Sequence, residues 1–181
     1  MVIIGIDPSI NSTGICINKD GSYTYYIISS KMTKKMENFI HSKVKFLPYN
    51  KENYTDMEYS DKETIKSNNL YNIVKIIEDL IKKYKPDNII MEGISYGSTS
   101  GSALVDLSGL NYMIRMVCIN RQVPFTIVSP SGLKKFVCAN GQADKELIIE
   151  SWKKMDKNIQ DISDIKIDDL ADAFFLSNHP V

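Results

Sequence analysis

Apolar positions along the chain change rhythm several times, and each rhythm predicts an element. Val2 to Ile6 is a continuous apolar, β-branched run, the pattern of a strand buried on both faces, and it stops at Asp7-Pro8-Ser9. Gly14 to Asn18 and Tyr23 to Ser29 follow as two more strands, joined at Asn18-Lys19-Asp20-Gly21, where Asp-Gly favours a tight hairpin. These three predict an antiparallel meander. From Asn69 to Tyr84 the apolar residues Leu70, Ile73, Val74, Ile77, Leu80 and Ile81 recur at helical spacing until Pro86 ends the run. Asn88 to Met91 is a fourth strand ending at Glu92-Gly93, and a Gly/Ser-rich stretch runs from Ser95 to Ser102. A helical period returns over Ala103 to Asn120, and Pro124 to Val128 is the fifth strand. Ser129-Pro130 starts a helix, Asn140-Gly141 breaks it, Ala143 to Met155 forms another, and a last helix covers about Asp168 to Ser177.

A meander followed by strands alternating with helices predicts an α/β fold: a five-stranded mixed sheet flanked by helices. Lys31 to Lys66 interrupts this order. It is rich in Lys, Tyr and acids, has no sustained period, and carries Pro48, so it stands as an insertion: a long functional loop, a small helical unit or a flap.

Composition narrows the class. The 181 residues carry 22 Lys and Arg against 22 Asp and Glu and are 43% hydrophobic, enough for one domain with a core that needs no disulfides. No apolar run approaches the roughly 20 residues of a membrane span, so no membrane association is expected. The Val2 to Ile6 run has no basic flank or cleavage site of a signal peptide, and a cytoplasmic protein is expected. Cys16, Cys118 and Cys138 are odd in number, far apart and without zinc-ligand spacing, so they predict reduced thiols. A net charge of zero means that any nucleic-acid binding rests on local lysines or on metal ions. The 20 Lys against two Arg, with abundant Ile and Asn, suit an AT-rich genome such as that of a phage or low-GC bacterium.

The acids carry the candidate chemistry. Asp7 and Glu92 each end an apolar strand, and ligands of open α/β sheets gather at strand ends. In the last helix Asp169 and Asp172, three apart, share a face, while Asp168 is turned by about 100° from Asp169. Two readings stand. Asp168 and Asp169 suit a helix start through the dipole, Asp7 a turn, and Glu92 an exposed strand end. Alternatively, Asp172 lies among apolar residues one turn in, and all four acids form one all-oxygen site for a hard cation such as Mg²⁺ or Mn²⁺. Two such ions about 4 Å apart would serve phosphodiester hydrolysis. Lys134 and Lys145 are open between phosphate contacts and plain surface lysines. His179, near a helix C-terminus, suits the dipole there.

Taken in order, Gly5-Ile6-Asp7-Pro8-Ser9 with Thr13-Gly14, Ile89-Ile90-Met91-Glu92, Pro130-Ser131-Gly132-Leu133-Lys134-Lys135, Gly141-Gln142-Ala143-Asp144-Lys145 and Asp169-Leu170-Ala171-Asp172-Ala173 resemble the RuvC family of Holliday junction resolvases. The resemblance covers most of the chain except 31–66. It implies an RNase H-like fold over residues 1–181 and a Mg²⁺-dependent crossover junction endodeoxyribonuclease of DNA recombination and repair. Asp7, Glu92, Asp169 and Asp172 would be the catalytic, metal-binding acids, with two Mg²⁺ per site and Mn²⁺ able to substitute. Lys134 and Lys145 match the family's basic residues near the scissile phosphate, and Tyr96 is the candidate for its aromatic that stacks at the junction centre, displaced by about one residue. The family acts as a homodimer on four-way DNA, since a two-fold pair of sites can cut both symmetric strands. Leu104, Leu107, Ser108, Leu110, Asn111, Ile114, Val117 and Cys118 give the helix over Ala103 to Asn120 a wide apolar surface that suits either a partner or a core.

Asp7 and Glu92 stand 85 positions apart, a longer gap than the family's, and the 31–66 insertion accounts for it. Other branched DNA or an RNA–DNA hybrid therefore stays open as substrate. A two-lobed nucleotide-binding kinase fold would need more chain and an adenosine motif, so no nucleotide cofactor is expected, and Ser9 disfavours related exonucleases with an acid at that position. A non-catalytic branched-DNA-binding or packaging subunit is the remaining rival.

Overall fold

The computed structural model describes residues 1–32, 37, 44–94, 101–138, 144–159 and 168–180. Six strands form one sheet: β1 (Val2–Asp7), β2 (Thr13–Lys19), β3 (Ser22–Ser29), β4 (Val44–Pro48), β5 (Asn88–Glu92) and β6 (Phe125–Val128), in the order β4-β3-β2-β1-β5-β6. The helices are α1 (Tyr59–Tyr84), α2 (Gly101–Asn120), α3 (Pro130–Cys138), α4 (Lys145–Met155) and α5 (Asp168–Ser177), with a 3₁₀ turn at Lys157–Ile159. β1, β2 and β3 are the antiparallel meander, turning at Asp20 (φ 49°) and Gly21 (φ 82°). β5 lies parallel to β1, and β6 parallel to β5.

The sheet has six strands rather than five. The additional one, β4, comes from the 31–66 insertion and pairs parallel to β3 from Tyr25↔Val44 to Ser29↔Pro48. Its five residues mix Lys45 and Pro48 with three apolar residues, which hid the alternation; a lysine and a proline both suit an edge strand. The same insertion supplies the start of α1, which begins at Tyr59 instead of Asn69. Those first turns are exposed and held by charge pairing such as Lys66 to Glu63 at 2.9 Å, so no apolar period marks them. Lys85, in the left-handed conformation before Pro86, ends the helix as expected. α4 starts at Lys145, because Asp144 caps it by accepting from the Leu147 amide at 2.9 Å.

Alternate strand residues feed two cores. Ile3, Cys16, Tyr25, Ile27, Ile90 and Val128 face α3, α4 and α5. Ile4, Ile6, Ile15, Ile17, Ile89 and Met91 face α1 and α2. By length and composition α2 is apolar enough to cross a membrane, contrary to the expectation that no stretch approached this. It packs on α1 through Leu110, Ile114 and Cys118, with Gly109 against Leu70, and it carries Asp106 and Arg115. Cys16, Cys118 and Cys138 are free thiols.

Candidate active site

All six strands bring one end to the same edge of the sheet: Asp7, Thr13, Ser29, Pro48, Glu92 and Val128. Asp7 ends β1 one residue beyond the Ile6↔Met91 pair, which places it beside Glu92 at the end of β5. Period-two alternation then turns both acids toward α5, as it does Ile3 and Ile90.

α5 reaches them because two glycines leave it room. A Cβ on Gly5 would lie 2.0 Å from the Ala173 carbonyl oxygen, and one on Gly14 2.1 Å from the carbonyl oxygen of Asp169. Any side chain at either position would lift the helix off the sheet. Leu170, Ala171, Ala173, Phe174, Phe175 and Leu176 are buried, as the nearly all-round apolar pattern of this helix required. Its N-terminal half, with Asp168, Asp169 and Asp172, is thereby set over the ends of β1 and β2. The β1–β2 turn is clamped by Thr13, whose hydroxyl donates to the Ser9 carbonyl at 2.7 Å and accepts from the Ser9 amide at 3.2 Å.

The four acids lie close enough to influence one another's ionisation. Asp7 is raised far above the usual carboxylate range by burial first, then by the charges of Glu92, Asp169 and Asp172. Burial also raises Glu92, while its bond with Asp7 and the nearby Lys134 and Lys145 hold it down. Asp169 is pushed up to about 6, mainly by burial, with the Ser12 side chain offsetting part of this. Asp172 is pushed up to about 7 by burial and by Glu92, Asp168 and Asp169. Such mutual elevation marks negative charge without enough compensation. The plain helix-start and exposed strand-end readings do not explain it.

The donor set is all oxygen and carries excess negative charge, which fits a hard divalent cation. Among the described residues no three acids converge closely enough, as they stand, to chelate one ion. Lys145 rises from the start of α4 and bonds Asp168, which raises its pKa, while most of its side chain stays exposed. Lys134, half-buried on α3, is close enough to Glu92 to stabilise its charge. The two lysines thus flank the acids. Tyr96 lies outside the described residues, as does 141–143 of the Gly141 to Lys145 motif. His179 follows α5, its ring packed on Phe136 at 4.8 Å between centroids.

Two residues of this site carried no distinct signal in the sequence. Ser12 sits in the turn and relieves Asp169. Asn111 is buried on α2 and donates to the Glu92 carbonyl at 3.0 Å, pinning the end of β5. A polar residue inside an apolar helical face was the available clue.

A family model described as crossover junction endodeoxyribonuclease RuvC matches residues 55–177. A RuvC from Orientia tsutsugamushi is 27% identical over 183 residues, covering 100% of this chain and 98% of the relative. One from Brachyspira hyodysenteriae is 24% identical over 173 residues, covering 96% and 89%. Among solved structures, Thermus thermophilus RuvC in complex with a Holliday junction substrate superposes with a TM-score of 0.64 at 14% identity, covering 98% of this chain and 90% of that one. The yeast mitochondrial Holliday junction resolvase Ydc2 gives 0.54 at 14% identity, covering 97% and 75%. These structural likenesses establish a shared fold.

Proposed function

Because the chain belongs to the RuvC family, with its RNase H-like fold, we propose that it is a metal-dependent endodeoxyribonuclease that resolves four-way DNA junctions by paired phosphodiester hydrolysis. The observation that carries this reading is the approach of Asp7, Glu92, Asp169 and Asp172 from two strand ends and one helix, where burial raises all four and the charges of the other three raise Asp7 further.

Asp7, Glu92, Asp169 and Asp172 would hold Mg²⁺, two ions at full occupancy. Bound there, a divalent cation supplies the positive charge that lets a water ionise near neutral pH and lets the leaving oxygen depart. The chain's own groups do the positioning. Asp7 and Glu92 sit on rigid strand ends, and α5 is fixed by backbone contact with Gly5 and Gly14, so the donors have little freedom to drift. Lys134 and Lys145 offset charge on the scissile phosphate, and Asp168 holds Lys145 at the rim until a phosphate oxygen replaces it. Ser12 steadies Asp169.

The homodimer rests on α2. Its buried face is Leu110, Asn111, Ile114 and Cys118, so several residues named from sequence serve the core. The free apolar stripe is instead Val105, Tyr112, Met116 and Ile119, each more than half exposed and spaced along one side of the helix. A two-fold pairing of these stripes would set two sites against the two symmetric strands of a junction.

The test is cleavage of a mobile four-way junction with Mg²⁺ or Mn²⁺, beside a linear duplex, a three-way branch and an RNA–DNA hybrid, with Asp7→Asn as control. Paired symmetric nicks lost in the variant establish the resolvase. Preference for the branch or hybrid keeps the chemistry and replaces the substrate. Junction binding without cleavage by either metal leaves a binding subunit.

A further inference from the structure

A cleft of about 890 Å³ opens at the same sheet edge as the acids, above the ends of β2, β3 and β4. It exists because the chain adds β4 and the segment after it. Ser12, Lys31, Asn50, Lys51, Asn53 and Tyr54 supply most of its chemistry, and Glu52 is the one acid among its lining residues.

The far wall is built to hold its shape. Buried Asn69 of α1 accepts from the Glu52 amide at 2.8 Å and donates to the Glu52 carbonyl at 2.9 Å. Asn72 donates to the Asn50 carbonyl at 2.9 Å, and Tyr49 donates its hydroxyl to the Ile10 carbonyl at 2.9 Å, tying this wall to the β1–β2 turn. Two side chains of α1 and the segment's own Tyr49 thus fix a short surface segment that carries no other core residue. Lys31 and Lys51 are exposed and form no ion pair with a described residue. Lys62 and Lys66 both stand 5.9 Å from the Tyr54 ring centre, Lys66 being paired with Glu63 and Asp106. Ser12 belongs to both places: it lines the cleft and relieves Asp169.

Resting on the proposed nuclease activity, we infer that this cleft binds the sugar-phosphate backbone of the cleaved DNA strand on one side of the scissile phosphate. Hydroxyl and amide donors with two uncommitted ammonium groups match phosphate oxygens, and the Tyr54 ring offers a face for a base or sugar. The chain has zero net charge, so backbone contacts must be local, and this preformed strip next to the acids is such a place. It assigns the insertion a role in gripping substrate.

The experiment measures junction affinity of Asp7→Asn protein in Mg²⁺ across a salt series, with and without the double change Lys31→Ala/Lys51→Ala, and separately with Lys51→Glu. Junctions with either flank of the scissile strand cut back are compared in parallel. The expected result is affinity weakened roughly ten-fold or more near 0.1 M salt, with the log–log salt slope smaller by about 1.8, the amount two phosphate contacts contribute. Cutting back one flank should cost the Asp7→Asn protein affinity but cost the double variant far less. Unchanged affinity and slope in a variant that melts normally overturn the cleft assignment and leave the nuclease reading intact. If the parent protein binds no branched DNA at all, both fall together, and the cleft serves another class of ligand.

Discussion

Gly14 lies directly beneath Asp169: a Cβ on the glycine would come within 2.1 Å of the Asp169 carbonyl oxygen and 2.5 Å of its carbonyl carbon. The position of a candidate metal-binding acid is therefore set by a missing side chain on a neighbouring strand. Gly14→Ala, and likewise Gly5→Ala beneath Ala173, should cost about 3 kcal/mol or more through overpacking of backbone on backbone. For a chain of this size that lowers the melting temperature by roughly 10 °C, and cleavage should fall further than stability alone explains. Thermal melts beside single-turnover cleavage check both.

Asp169 and Asp172 titrate at about 6 and about 7 in the fold, above the ordinary Asp value of 3.8. The folded state thus binds protons that the unfolded chain has released, and stability that is complete below about pH 4 is lost as pH rises through 6 and 7. Without divalent cations the melting temperature should decline over that window. Mg²⁺ should restore it, and the gain should grow with pH, since binding requires the ionised carboxylates. A melting curve series in chelator and in Mg²⁺ measures this directly; a flat chelator profile would contradict it.

Asp7→Asn should move stability and activity in opposite directions. It removes a buried carboxylate that Glu92, Asp169 and Asp172 all repel, so the metal-free protein should melt higher. Junction cleavage should drop by at least about 1000-fold, equivalent to the few kcal/mol that cation chemistry supplies. Retained junction binding in a gel-shift assay would separate lost chemistry from lost recognition.

Met116→Glu or Ile119→Glu places a charge on the exposed stripe of α2, where no described core contact is lost. Sedimentation should show a dimer becoming a monomer, with far-UV circular dichroism unchanged. Symmetric double cuts in the junction should become single nicks.

Tyr25→Phe should destabilise the fold by about 2 kcal/mol. The Tyr25 hydroxyl donates to buried Asp156 at 2.6 Å and accepts from the Trp152 indole at 3.0 Å, so its loss strands a donor and a carboxylate oxygen. Chemical denaturation gives the value, and cleavage per folded molecule should stay near normal because the network sits away from the acids.

Elements whose apolar residues meet a core were legible from the chain. β1, β5, α1 from Leu70 onward and α5 all announce themselves through period or through unbroken apolar runs. What escaped was held by other forces. β4 is a short edge strand whose stability comes from pairing with β3, and the first turns of α1 rest on charge pairs. The four acids could be named because each stands at a strand end or on an otherwise apolar helix. Asn111, Asn69 and Ser12 could not be given roles, because each acts on a backbone or side chain far away in sequence that pairing alone brings near.

The division of strand residues between two cores carries a consequence for how this molecule can vary. Ile3, Gly5 and Asp7 answer to α5, while Ile4 and Ile6 answer to α1 and α2, and β5 repeats the split with Ile90 against Ile89 and Met91. Side chains on opposite faces of a sheet pack against different helices, so a change in one core leaves the packing partners of the other in place. The layer that carries the candidate acids and the layer of α1 and α2 are therefore written on alternate letters of the same strands. The packing of each layer can be varied by itself except at Asn111, which ties α2 to the end of β5.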